Sequence, residues 1–321
     1  MRDNIIYRIP IVPPEIVDAV NNDKLAIFIG AGVSRIIGCI GWDQLAQNLV
    51  DRCFLTKKKD GSSCINFKEK ETLSQSKDYK KTITICHHIL KHNDFENIYN
   101  DELDKSLVLK NEEHFKNQNI YDELYGLHGL NITTNADQYF DRKFNPLRIV
   151  YKHEDFNLSN IDRTKLYHIH GSILDKEELI FTVRKYIERY NNKQFKEFLE
   201  EIFRNYVVLF VGYGMAEFEI LDFLITKSDS KKGSEPRHFI LLPYFRGEEN
   251  ILEFDQYYYT SMGVSVLGYE KDEKGYGQLY EVIKRWNSEI NQTSDYYMIH
   301  IKRLKMLLII MTKMEQIEYF K

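Results

Sequence analysis

Cysteine is scarce in this sequence: Cys39, Cys53, Cys64 and Cys86 are the four in 321 residues, and no two form a Cys-x-x-Cys pair. That spacing excludes a zinc ribbon, whose tetrahedral site draws its ligands as two close pairs. A basic excess is also missing. The formal net charge is -4, which argues against a surface built to neutralise a phosphate backbone. Long apolar runs are missing too; the nearest, Met306 to Met311, is six residues, against the roughly 20 that a spanning helix needs. The opening segment MRDNIIYRIP carries no apolar signal core. A chain with no nucleic-acid or membrane association, in a reducing, cytoplasmic setting, is therefore expected.

What is present is ordinary globular material, 43% hydrophobic and 29% charged, long enough for one large domain with an insertion. Lys24 to Ile29 is a continuous apolar run ending in glycine, the pattern of a strand buried on both faces. Helical spacing follows from Trp42 to Phe54. Strands are predicted at Leu130 to Thr134, Leu147 to Tyr151, Lys165 to Ile169, Leu179 to Thr182, Tyr206 to Val211, Arg237 to Leu242 and Gly263 to Leu267. Helices are predicted at Val183 to Tyr190, Gln194 to Asn205, Glu217 to Lys227 and Gly277 to Asn291. Such alternation predicts a Rossmann-like three-layer α/β fold with a parallel sheet, and a mostly helical insertion at about residues 55–125. Residues 1–294 are read as the catalytic domain. Residues 295–321 are read as an apolar C-terminal helix serving a homo-oligomer contact or a junction to a further region.

Four constellations carry candidate chemistry. In FIGAGVSR, Phe28 to Arg35, a buried strand stops in Gly-Ala-Gly, where bare backbone and amide N–H groups can meet a pyrophosphate. The third glycine of the usual dinucleotide fingerprint is replaced by Ser34 and Arg35, and a plain tight turn is the competing reading. In ITTNADQYFD, Thr134, Asn135 and Asp137 arrive at a strand's carboxyl end. There an asparagine can bond a ribose hydroxyl or orient a water, and an aspartate can support developing positive charge or merely form an Asx-turn. In HIHG, His168 and His170 are two apart, so on a strand they share a face and spacing does not separate them. His170 stands at the glycine-marked end, where a general base is useful. In FVGYGMAEFEI, Gly212, Tyr213 and Gly214 repeat the first turn, and Glu217 either bonds a hydroxyl or sits as a first-turn acid. His88 and His92 have helical i,i+4 spacing but lack the glutamate of a zinc protease motif, and no metal is expected.

Taken in order, FIGAGVSR, GCIGW (Gly38 to Trp42), ITTNADQYFD, HIHGS and FVGYG resemble the sirtuin-like family, and within it the bacterial antiphage NAD hydrolases. The resemblance implies that Gly30, Ala31, Gly32 and Ser34 hold the NAD phosphates; the repeated turn at Gly212, Tyr213 and Gly214 is read, from its pattern, as approaching the rest of the nucleotide. It further implies that Asn135 and His170 are catalytic and that Asp137 lies at the nicotinamide ribose. Ala136 departs from a tyrosine common in that branch. The missing cysteine pairs depart from the deacylating sirtuins. The expected activity is therefore hydrolysis of NAD to nicotinamide and ADP-ribose, as an effector with a sensor or activator partner. Protein deacylation and non-catalytic sensing of NAD or ADP-ribose are the alternatives.

Overall fold

The computed structural model describes residues 9–107, 116, 119–214, 220–221, 223–225 and 237–292. Among these, seven strands form one all-parallel sheet in the order β3-β4-β2-β1-β5-β6-β7. They are β1 (Leu25–Ile29), β2 (Leu130–Thr133), β3 (Ile149–Val150), β4 (Leu166–His168), β5 (Val207–Val211), β6 (His238–Tyr244) and β7 (Val264–Glu270). β1 lies at the centre, with Phe28 opposite Ile132 of β2 and Phe210 of β5, and all five of its residues are buried. The chain leaves β1 towards β2 and later returns on its other side for β5. The loops after these three strands therefore meet at the switch point where open α/β sheets bind ligands.

Helices cover both faces, as the alternating pattern requires. One face carries α1 (Pro14–Asn21), α2 (Ala31–Ile36), a short helix at Ile120–Gly126 and a last helix at 278–292, packed on Ile27, Ile29 and Leu209 through Leu124, Ile283 and Trp286. The other face carries Val183–Asn191, Lys193–Asn205 and Glu249–Thr260, packed on Phe28, Ile132 and Phe210 through Phe198, Phe203 and Tyr259. A third core lies beyond the sheet. Leu49 and Cys53 of α3 (Trp42–Leu55), Ile83 and Leu90 of Tyr79–His92, and Leu103 of Glu96–Ser106 close on Ala136, Leu179 and Phe181. This helical cap thus rests on the loops that follow β2 and β4, and α3, which ends at residue 55, belongs to it.

Several expectations change. Leu179 to Thr182 is not a strand: Ile180 N–H donates to the His170 carbonyl at 2.9 Å, and Phe181 plugs the third core against Trp42, ring centroids 4.9 Å apart. A four-residue apolar run fits either role, and here packing rather than pairing uses it. β3 shrinks to two residues because Pro146–Arg148 forms a 3-10 turn. α1 begins at Pro14, where proline's missing N–H costs nothing, a helix start that the proline pair hides. Glu249–Thr260 also escapes the pattern, since Tyr259 is its one buried residue. Of the helix expected at Glu217 to Lys227, residues 220–221 and 223–225 are helical. Glu217 itself and the expected helix at 295–321 lie outside the described residues.

Candidate functional site

The turn after β1 meets the turn after β5, and glycine is what lets them touch. A Cβ on Gly30 would stand 2.5 Å from the Gly212 carbonyl oxygen and from Tyr213 Cα, and one on Gly32 would stand 2.7 Å from that same oxygen. Gly212 is in the left-handed region at φ 59°, where a side chain would also meet Val33 N at 2.6 Å. Gly30 N–H donates to the Val211 carbonyl at 2.9 Å and Gly32 N–H to that of Gly212 at 2.8 Å. These two amides therefore serve the packing of turn on turn and are not aimed at an anion. Of the amide N–H groups expected to meet a pyrophosphate at this turn, those of Gly30 and Gly32 are thus already engaged. Gly214, by contrast, has open space where its Cβ would be.

A buried polar network joins the turn after β1 to the loop after β2. Ser34 Oγ donates to Asp137 Oδ2 at 2.6 Å, and Asn135 Nδ2 donates to Ser34 Oγ at 2.8 Å and to the Gly30 carbonyl at 3.1 Å. Ser34 has one hydrogen, already given to Asp137, so the 2.8 Å contact with Tyr121 Oη runs from the phenol to Ser34. Burial, reinforced by the Asp137 charge, holds the Tyr121 phenol well above its usual range, which keeps it a donor. The Asn135 amide is likewise oriented without ambiguity. Gly30 offers only a carbonyl, so the nitrogen must face it, and both amide hydrogens are then used. The Asn135 oxygen is left as the acceptor.

Asp137 plays both roles that its position allowed. Oδ1 accepts from Tyr139 N–H at 3.2 Å, an Asx-turn, while Oδ2 takes the Ser34 hydroxyl. Burial pushes its carboxyl above the ordinary aspartate range, against the opposing pull of those two hydrogen bonds.

The two histidines part company. β4 ends at His168, whose Nδ1 lies 2.7 Å from the Asn135 carbonyl oxygen and whose Nε2 lies 2.8 Å from Asp141 Oδ1. The chain then turns, Gly171 N–H donating to the His168 carbonyl at 3.1 Å with Gly171 at φ 79°. The turn breaks strand alternation, so the expectation of a shared face fails. His170 points to the helix at Val183–Asn191, with Nε2 3.2 Å from Tyr190 Oη and its ring 5.4 Å from that of Tyr186. Lys80, on the rim of the cleft described next, sits 3.6 Å over the Tyr186 ring.

Three cavities with shared walls run along the carboxyl edge of the sheet. The largest, about 650 Å³, is lined by Ala31, Gly32, Arg35, Thr134, Gly212, Tyr213 and Gly214, with Lys77 and Lys80 across from them. It falls within the roughly 300–1,000 Å³ of cofactor-sized sites. An inner recess of about 40 Å³ touches Ser34, Trp42, Asn135, Asp137 and Phe181. An apolar pocket of about 170 Å³ continues the cleft past Gly212 to Leu241, Pro243 and Tyr276. The structure thus gathers Ala31, Gly32, Ser34, Asn135, Asp137, Gly212, Tyr213 and Gly214 on one cleft and its inner recess, while His170 is outside the lining of all three cavities. Tyr121 and Asp141 belong to the network without having been singled out in the sequence. Tyr121 is remote from every motif, and Asp141, though inside ITTNADQYFD, carries no local sign of its partner. Among the described residues no group of three or more His, Cys, Asp and Glu is gathered for a metal, and no helix is long and apolar enough to cross a membrane.

Residues 130–265 match a SIR2-like domain. The match covers the chain from β2 into β7, includes Asn135, Asp137, His168, His170 and the Gly212 turn, and supports a sirtuin-like family with an NAD-related activity. No curated protein matches the sequence.

Proposed function

We propose that the protein is an NAD glycohydrolase, releasing nicotinamide and ADP-ribose with water as the acceptor. The observation that carries this reading is the Asn135 amide, locked by Ser34 and Gly30 so that its oxygen is the acceptor, beside Asp137 on a recess with room for a water or two. An acceptor oxygen is what a nucleophilic water needs, since it accepts a hydrogen bond from the water and so aims a lone pair. As the bond between nicotinamide and ribose breaks, positive charge develops on the sugar. Asp137 faces that charge from a buried position where electrostatic stabilisation is strongest.

The phosphates are assigned to the wide cleft, against Ala31 and Gly32 on one side and Gly212, Tyr213 and Gly214 on the other, with Arg35 as a cation on its wall and Ser34 behind them on the inner recess. His170 is assigned as the group that takes the proton, from the attacking water or a ribose hydroxyl. In that role the Tyr186 and Tyr190 rings must shift to admit it to the cleft. An enzyme that consumes NAD needs such restraint, which fits an effector of antiphage defence controlled by an activator and working as a homo-oligomer.

The test is nicotinamide release from NAD by the purified chain, with and without an acylated peptide, beside equilibrium NAD binding. Release from NAD alone is expected, and Asn135→Ala should lower it by about two orders of magnitude while binding persists. Turnover only with the peptide would make the protein a deacylase. Binding without turnover would make it a sensing module.

A further inference from the structure

We infer that His168 and Asp141 form a charged clamp that positions the loop carrying Asn135 and Asp137, with His168 held as an imidazolium that donates from both ring nitrogens. The bearing of the clamp on catalysis rests on the NAD-cleaving reading; the clamp itself does not.

The protonation state follows from the partners. The Asn135 carbonyl can only accept, so Nδ1, 2.7 Å away, carries a hydrogen. At Nε2, 2.8 Å from Asp141 Oδ1, one proton is shared between an imidazole and a carboxylate. A carboxylate oxygen can only accept, and 2.8 Å is hydrogen-bond distance, so the ring nitrogen carries the proton. His168 is 1% exposed and Asp141 8%, which removes competing water and leaves the two charges to answer each other. The second Asp141 oxygen, Oδ2, has no hydrogen-bond partner among the described residues, so His168 is the neighbour that meets this carboxylate. Asp137 adds a second negative charge nearby, and Thr133 of β2 lies in register opposite His168. Burial alone would lower the His168 pKa, but the Asp141 charge and hydrogen bond and the Asn135 carbonyl outweigh it and raise the pKa above 6.5.

The clamp spans the loop. His168 holds the main chain at Asn135 and, through Asp141, the 3-10 turn at Asp141–Lys143, so residues 135 to 141 are pinned at both ends by one ring on β4. The Asn135 side chain that faces Gly30 and Ser34 sits on that pinned main chain. His168 lines none of the three cavities and is a positioning residue, while His170 meets Tyr190.

The decisive experiment pairs histidine NMR on the full chain with the pH profile of NAD turnover. The His168 ring, assigned by its loss in His168→Gln, should titrate above 6.5, the ordinary histidine value, and carry both protons below that midpoint. The alkaline limb of kcat should follow the same midpoint. Asp141→Asn should move midpoint and limb together by about one pH unit or more towards acid, with KM little changed, because the imidazolium loses its counter-charge. His168→Gln should remove that limb. A His168 that titrates at or below 6.5, or an alkaline limb that stays in place in Asp141→Asn, would overturn the clamp. If Asp141→Asn does not fold, the NMR titration of the wild-type chain decides alone. If the wild-type chain turns over no NAD, the proposed function falls and the same titration still decides the clamp.

Discussion

The two ends of the sheet treat the same residue type in opposite ways. At the amino end, His238 opens β6, and its Nδ1 accepts the Val208 N–H at 3.1 Å, with its ring edge-on to Phe203 at 5.8 Å. Burial, with Arg237 adding like charge, pushes its pKa down to about 3, so it is a neutral acceptor completing the backbone. At the carboxyl end, His168 is as deeply buried but has a carboxylate at one nitrogen and a carbonyl at the other, and its pKa is raised. Depth of burial therefore does not set the charge of a core histidine; the chemistry of its neighbours does. At the amino end a single polar side chain is satisfied by backbone groups, those of Val208 and Phe203. At the carboxyl end, Ser34, Tyr121, Asn135, Asp137, His168 and Asp141 are held by one another, which is what a site requires and a core does not.

This contrast can be broken most severely at Ser34. Ser34→Ala leaves an Asn135 N–H, the Tyr121 hydroxyl and Asp137 Oδ2 without their partner at once. A loss of about 3 kcal/mol or more in denaturant-measured stability is expected, together with loss of nicotinamide release; a loss under about 1 kcal/mol would mean the network is loose. The amino end is probed by acid. His238 has a folded pKa below its unfolded one, so the stability it contributes is present above about pH 6.5 and is lost as pH falls towards 3. The expected slope is roughly 1.4 kcal/mol per pH unit in that window. His238→Asn, which keeps an acceptor for Val208 but cannot titrate, should flatten it in urea melts run from pH 7 to 4. His168 has the opposite sign: its contribution is complete below about pH 6.5 and is lost as pH rises through its raised pKa. The smallest effect is expected at Tyr190→Phe, which removes the hydroxyl facing His170 and should cost about 1 kcal/mol in thermal stability. If that hydroxyl restrains His170, nicotinamide release should rise in the variant; unchanged release would separate Tyr190 from the reaction.

Much of the scaffold was legible because it depends on local pattern. KLAIFI and YVVLFV read as buried strands, and the strands lie within them at Leu25–Ile29 and Val207–Val211, since continuous apolar runs of that length have few other ways to satisfy backbone and side chains together. Gly30, Gly32 and Gly212 were readable as special, but the reason was not. Their bareness serves contact between two turns 180 residues apart, and no local signal names the partner. Asn135 and Asp137 could be picked out at a strand end, whereas the serine, tyrosine and carbonyl that orient them come from other elements.

The clearest division runs through HIHG. Strand periodicity determines that residues two apart face alike, and while the chain is a strand that rule holds. Whether the strand continues past His168 depends on pairing. β2 offers partners for residues 166 to 168, after which the chain turns at Gly171 and sends His170 to Tyr190. The sequence alone determined the layered α/β fold and the motifs at its strand ends, because both are encoded in short-range patterns of burial. Tertiary structure decided which histidine is charged and which is covered, because proton affinity depends on groups that only folding brings within 3 Å.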